Sequence, residues 1–292
     1  PVLTIGVARP RPLFQWQATG QASWCLTVYQ DGEERYTTGE MPGEEKSFRM
    51  TEYLSNGNYE ASLWVKNLYE LQSPAAMVSF TLEAQTPPQP YLAVQAAENK
   101  AVLTISGTGF YRYYIFRDDV MIHKMDSPGA WEDLTACGAH TYWVRGVTQN
   151  DAFSDSNRVR VSVQVEYAQI MDMQDLEHPI LLKCRRGEYP VIEGSVQPEG
   201  ESIFYAGRKY PLFEFSENLS EPISMNFSFR KRADFERMEQ MVRNGLTVLY
   251  RDYRGKRCYL ALMGLEYTAD PISWDFTISA TRVDYVEAIE YD

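Results

Sequence analysis

The chain has 292 residues, of which 44% are apolar, 23% charged and 13% aromatic, with a formal net charge of −12. That apolar fraction supports ordinary globular cores and excludes a disordered chain, and the length implies two or three domains. The acidic balance repels phosphate backbones and so excludes non-specific nucleic-acid binding.

No apolar run approaches the ~20 residues that cross a bilayer, so no membrane span is expected. Pro1–Ile5 has no charged region followed by an apolar one; the expectation is synthesis in the cytoplasm without a signal peptide. Cys25, Cys137, Cys184 and Cys258 stand singly. Without a Cys-x-x-Cys pair a zinc ribbon is excluded, and reduced thiols packed as small hydrophobes are expected. The 20 tyrosines favour strands.

Over residues 1–84 the chain reads as short strands at turn-punctuated intervals: Leu13–Trp16, Trp24–Tyr29, Arg35–Thr38, Ser47–Thr51, Tyr59–Val65 and Ala76–Leu82. Asp31-Gly32 and Pro42-Gly43 supply turns, and no helix is expected. This is the pattern of a β-sandwich. The stretch Leu54-Ser-Asn-Gly-Asn-Tyr59 resembles the fibronectin type III corner. That resemblance implies a Tyr59 hydroxyl bonded back to the backbone, with Trp16 in the core between the sheets.

Gln85-Thr-Pro-Pro-Gln-Pro90 reads as a stiff linker, because proline fixes φ and favours extended geometry. Residues 91–165 repeat the first module. Phe14, Trp16, Gly20, Trp24 and Leu26 fall opposite Leu103, Ile105, Gly109, Tyr113 and Ile115, displaced by 89. Tyr59, Asn67 and Ser73 fall opposite Tyr142, Asn150 and Ser156, displaced by 83. Two constant offsets across a shortened loop indicate duplication. Leu134–Tyr142 resembles the same corner. His123 and His140 have no second ligand at helical or hairpin spacing and read as strand or surface histidines.

Residues 166–292 read as a β-rich, barrel-like domain with one helix. Glu166–Glu177 is acidic, a connecting segment or short helical turn; Asp172, Asp175, Glu177 and His178 could hold a cation but lack the spacing of a calcium loop. Strands are expected at Ile180–Cys184, Tyr189–Glu193, Ser202–Tyr205, Tyr210–Phe215 and Ile223–Phe229, the last alternating strictly. A helix is expected at about 232–244, with Phe235, Met238, Met241 and Val242 on one face and Gly245 at its end. A hairpin over Val248–Tyr259 follows, turning at Tyr253-Arg-Gly255, with Arg251, Arg254, Lys256 and Arg257 near its tip. Strands at Ala261–Tyr267 and Trp274–Ala280 complete the domain.

The run YRDYRGKRCYLALMGLEY, followed by SWDFTISATRVDYVE, resembles the C-terminal β-domain of tail or baseplate structural proteins in phages and prophages of Gram-positive bacteria. The resemblance covers about the last sixty residues and carries over no catalytic residue. It implies a virion (tail) location, other tail or baseplate proteins as partners, and a homo-oligomeric ring. Arg251, Arg254, Lys256 and Arg257, with Met238 and Met241, are then the expected assembly interface.

Phosphate-binding loops, dinucleotide fingerprints, HExxH and GxSxG are missing, so no catalytic residue, cofactor or metal site is read and a non-enzymatic protein is expected. The fold expected is mainly β: two tandem fibronectin III-like sandwiches and the barrel-like domain. The function expected is structural. One alternative is a module binding carbohydrate on a host surface; another is a glycan-active enzyme, which would need two carboxylates facing each other across a groove.

Overall fold

The computed structural model describes residues 1–184, 191–269, 271 and 273–291. The first sandwich is built from β1 (Val2–Ile5), β2 (Leu13–Gln17), β3 (Ser23–Gln30), β4 (Glu33–Thr37), β5 (Met41–Pro42), β6 (Ser47–Arg49), β7 (Gly57–Lys66) and β8 (Ala76–Leu82). One sheet has the order β1-β2-β6 and the other β4-β3-β7-β8, with β5 beside β3. Alternation decides what is inside. In β7 the buried positions are Tyr59, Ala61, Leu63 and Val65, every second residue. Trp16 and Trp24 lie in the core with ring centroids 5.0 Å apart. Tyr59 donates from its hydroxyl to Ser55 O at 2.9 Å, the bond implied by the corner resemblance. β1 was not expected: four residues at the chain's start carry too little pattern to read.

The second sandwich has β9 (Tyr91–Ala97), β10 (Lys100–Ser106), β11 (Arg112–Arg117), β12 (Val120–Met125), β13 (Gly129–Asp133), β14 (Gly138–Val147), β15 (Phe153–Asp155) and β16 (Val159–Val163). Its sheets, β13-β10-β9 and β12-β11-β14 with β15 and β16 both on β14, repeat the first topology. The offset of 89 holds for the early strands: Leu3 faces Trp16 as Leu92 faces Ile105. The offset of 83 does not hold in the later ones. Leu63 faces Leu26, whereas Val144 faces Ile115, a displacement of 81. Tyr142 therefore sits two residues further along its strand than Tyr59 does. A shift of two keeps the side chain on the core face. Its hydroxyl now reaches the Asp133 carboxylate at 2.8 Å instead of a corner carbonyl.

The C-terminal domain contains β17 (Gln169–Asp172), β18 (Asp175–Leu181), β19 (Val191–Gly194), β20 (Gln197–Ile203), β21 (Leu212–Ser220), β22 (Pro222–Phe229), α1 (Arg232–Arg243), β23 (Thr247–Arg251), β24 (Arg257–Ala269) and β25 (Trp274–Val283). The main sheet runs β18-β17-β23-β24-β25-β22-β19, antiparallel throughout. Just past β18 the chain returns to the far side of this sheet, where Ser228 N–H donates to Lys183 O at 2.8 Å. The wall thereby curls round one core of Ile170, Ile180, Leu182, Met225, Phe227, Val248, Leu260, Phe276 and Ile278. The acidic stretch expected to be a connector or helical turn is the β17–β18 hairpin instead. The strand expected at Tyr189–Glu193 lies partly outside the described residues.

α1 covers part of this core. Phe235, Met238 and Met241 are buried at i, i+3 and i+6, and the Phe235 ring meets Tyr267 at 4.8 Å and Trp274 at 5.7 Å. Gly245, at φ +61, takes the left-handed position that ends the helix. β20 and β21 form a separate two-stranded ribbon outside the main sheet.

Candidate functional site

The sequence singled out the β23–β24 hairpin, and the structure gives its residues separate tasks. Asp252 builds the turn: Oδ1 accepts from the N–H groups of Arg254 (2.9 Å) and Lys256 (3.0 Å), and Oδ2 accepts from the Tyr250 hydroxyl (3.1 Å). Gly255, at φ +83, lets the turn close. Arg254 and Lys256 are exposed at the tip. Arg251 and Arg257 are directed into the chain's own second sandwich.

Arg251 is 2% exposed and donates from Nη1 to Ala136 O at 2.7 Å. Burial pushes its guanidinium down to about 10. Arg257 donates from Nε to Thr135 O at 2.9 Å and also pairs with Glu287. Glu287 in turn meets Arg117 of β11 and the Tyr259 hydroxyl. Arg117 completes the group by donating to Asp133 Oδ2 at 2.6 Å. Two cations and two carboxylates thus lock the sandwich, the barrel and the C-terminal segment together. Burial lowers Arg117, but Asp133 and Glu287 outweigh it and hold the guanidinium above its ordinary value.

The six residues of the expected interface differ in their placement. Met238 and Met241 are 0% and 2% exposed, facing the barrel core, so they offer no surface to a partner. Of the four basic residues of the hairpin, Arg257 meets a carboxylate of this chain, Glu287. Of the six expected residues, Arg254 and Lys256 remain at the surface. No local pattern announces the group, because Arg117, Asp133 and Glu287 are far apart along the chain.

Near the junction lies a second group with a catalytic outline. His140 Nδ1 is 2.6 Å from Asp118 Oδ2, and Cys137 is three residues from the histidine. The Cys137 thiol, however, donates to Asp252 O at 3.5 Å, and burial raises its pKa. A thiol so held is not activated as a nucleophile. His140 Nε2 lies 3.0 Å from Cys137 O. This group holds the β13–β14 loop against the barrel. His123 stacks on Trp131 at 4.5 Å, and burial lowers its pKa.

The acidic segment does not converge on a cation. Asp175 pairs with His178 at 2.7 Å and with Arg237 at 2.9 Å, while Asp172 Oδ1 accepts from Gln174 N–H. Among the described residues no group of three metal-ligating side chains is found. Asp133 and Glu287 line one cleft, and both are bound to Arg117 between them. Trp16, Trp24 and Trp143 are buried and present no sugar-stacking face.

Exposed apolar side chains gather on the β20–β21 ribbon and the loop that joins its strands. Phe204, Tyr210, Phe215 and Leu219 are 79%, 72%, 69% and 62% exposed, and Leu212 and Phe213 are exposed beside them. Between them stand Glu199, Glu201, Glu214 and Glu217. The sequence expected strands here but not their separation from the barrel.

No family model and no curated protein matches the chain. Among solved structures it is similar to a chain from the tail of an empty gene transfer agent particle with C6 symmetry. The identity is 11% and the TM-score 0.29, over 41% of this chain and 91% of that one. It is similar to a chain from the virion of a native gene transfer agent particle at 12% identity and TM-score 0.28, over 40% of this chain and 92% of that one. Fibronectin(III)-like modules of Clostridium thermocellum CbhA match at 13% identity and TM-score 0.24, covering 56% of this chain and 95% of theirs.

Proposed function

We propose that this chain is a structural component of a phage or phage-derived tail or baseplate, self-assembling through its C-terminal domain with the sandwiches projecting from it. The tail assignment, with the Gram-positive host, rests on the sequence pattern that ends at Val283-Asp-Tyr-Val-Glu287. The observation that carries self-assembly is the β20–β21 ribbon. An isolated two-stranded ribbon is marginal in water, and one that exposes large apolar side chains along its strands and loop gains stability when a second surface covers it. A second copy fits by charge. The ribbon's glutamates complement Arg254 and Lys256 at the hairpin tip, and repeated contacts of this kind close a ring.

The test replaces Phe213, Phe215 and Leu219 by serine together and measures mass by size-exclusion chromatography with light scattering. The expected result is a ring for the wild type and a folded monomer for the triple variant. A wild type that stays monomeric in solution and in assembled particles, or a variant that still forms the ring, overturns the reading.

A further inference from the structure

The β7–β8 turn, residues 67–71, and its counterpart in the second sandwich, residues 148–152, share one backbone conformation. In each, the fourth residue donates its N–H to the carbonyl of the first: Glu70 to Asn67 at 2.9 Å, Asp151 to Thr148 at 3.0 Å. In each, the first donates to the carbonyl of the fifth: Asn67 to Leu71 at 3.2 Å, Thr148 to Ala152 at 2.8 Å. Glu70 and Asp151 are both left-handed, at φ +59 and +62. The side chains differ. Leu68, Tyr69 and Leu71 in the first turn stand where Gln149, Asn150 and Ala152 stand in the second. The conformation therefore does not need apolar residues. Leu68, Tyr69 and Leu71 are nevertheless 86%, 83% and 68% exposed.

The second turn shows what this device does at the end of a sandwich. Asp151 and Ala152 are buried, and Arg49 of the first sandwich reaches the Asp151 carboxylate at 3.5 Å. The first turn lies at the opposite end of its own sandwich, since β8 runs from this turn to the linker. It is held rigid. Asn67 Oδ1 accepts from Tyr69 N–H at 2.9 Å and Leu71 N–H at 3.0 Å, and Ser73 Oγ accepts from Val65 N–H at 3.2 Å. Prior rigidity reduces the entropy cost of binding. Glu70 is exposed, with no ion pair among the described residues.

We propose that turn 67–71 is a docking surface for another protein, one that presents an apolar pocket to Leu68, Tyr69 and Leu71 and a Lys or Arg side chain to Glu70. It is the contact that Arg49 and Asp151 make inside this chain, turned outward. Charge argues for a cationic protein surface over a bilayer. The Gln21 side chain ties Glu45 O and Gly43 O to this end of the sandwich; Lys66 there is paired with Glu40, and Glu44, Glu45 and Glu70 outnumber Lys46, which donates to Gln21 Oε1, so the rim stays acidic. Such a rim is repelled by anionic lipid. Two leucines beside one tyrosine suit an apolar pocket better than a hydroxyl-rich glycan.

The test places the photo-crosslinking residue p-benzoylphenylalanine at position 69 of the full chain, produced in its native host, and maps the crosslinked peptides by mass spectrometry. The expected product is one segment of one other protein, with a Lys or Arg among apolar residues. Glu70→Lys should cut the yield about tenfold, as loss of one charge-assisted contact does, and reversing the mapped cation to Glu should restore it. No crosslink, a crosslink to a second copy of this chain, or a yield unmoved by Glu70→Lys overturns the proposal. So does flotation of the purified chain with phosphatidylcholine–phosphatidylglycerol vesicles.

Discussion

Asp133 is 1% exposed and accepts from Arg117 at 2.6 Å, from the Tyr142 hydroxyl at 2.8 Å and from the Thr135 hydroxyl at 2.7 Å through its other oxygen. Burial works to raise its pKa, but Arg117, Thr135 and Tyr142 together hold it below the ordinary 3.8. A carboxyl depressed in the folded state contributes stability above its unfolded pKa, and that contribution is lost as pH falls through the folded value. Asp133→Asn removes the charge and leaves Arg117 half-paired. The expected cost is about 3–5 kcal/mol at neutral pH, the range for breaking one side of a buried pair. Urea unfolding of wild type and variant checks it. The gap should be full at pH 7, begin to narrow below pH ~4, where the carboxyl of the unfolded chain takes up its proton, and close as pH falls through the lower folded value; a gap independent of pH would reject this account. Two residues of slippage between Tyr59 and Tyr142 created the arrangement, by moving a corner tyrosine within reach of a carboxylate.

Among the elements, the segment after β25 makes contacts its sequence did not announce. Ile289 N–H donates to Met121 O at 2.9 Å. The Tyr291 ring meets Tyr114 at 4.6 Å and Tyr53 at 4.8 Å, one from each sandwich. This strap runs from the barrel across both sandwiches. Ending the chain after Asp284 would remove Glu287, Ile289 and Tyr291 at once. Calorimetry should then replace one cooperative transition by separate, lower ones, because the units lose their shared contacts. Retention of a single transition at the original temperature would refute the coupling. The elements that were legible are those with a clean period. β22 alternates, burying Ile223, Met225, Phe227 and Phe229, and α1 repeats at helical spacing. The β17–β18 hairpin was missed because acidic residues interrupt its alternation, and the strap because a segment lying on another domain's surface has no period of its own.

At the scale of the molecule, sequence periodicity identified two sandwiches and a barrel-like domain but not how they meet. Contacts between domains depend on residues with no fixed spacing: Arg117, Glu287 and Arg257 converge from three parts of the chain. The basic hairpin shows the consequence. Read along the sequence, Arg254 and Arg257 are equivalent tip charges. In the fold, Arg254 stands in solvent, whereas Arg257 is drawn between Thr135 O and Glu287. Charge reversal should separate them. Arg257→Glu sets a carboxylate against Glu287 and leaves Thr135 O without its donor, at an expected cost of about 3–5 kcal/mol. The junction should open, seen as a larger radius of gyration in small-angle scattering. Arg254→Glu should change stability by no more than about 0.5 kcal/mol and leave the radius unaltered. On the proposed assembly, Arg254→Glu still weakens the ring, since it places like charge opposite a neighbour's ribbon glutamates. Equal effects of the two reversals on the monomer would mean that Arg257 does not hold the junction. A ring indifferent to Arg254→Glu would remove the hairpin tip from the interface and leave the ribbon's apolar face to account for it alone.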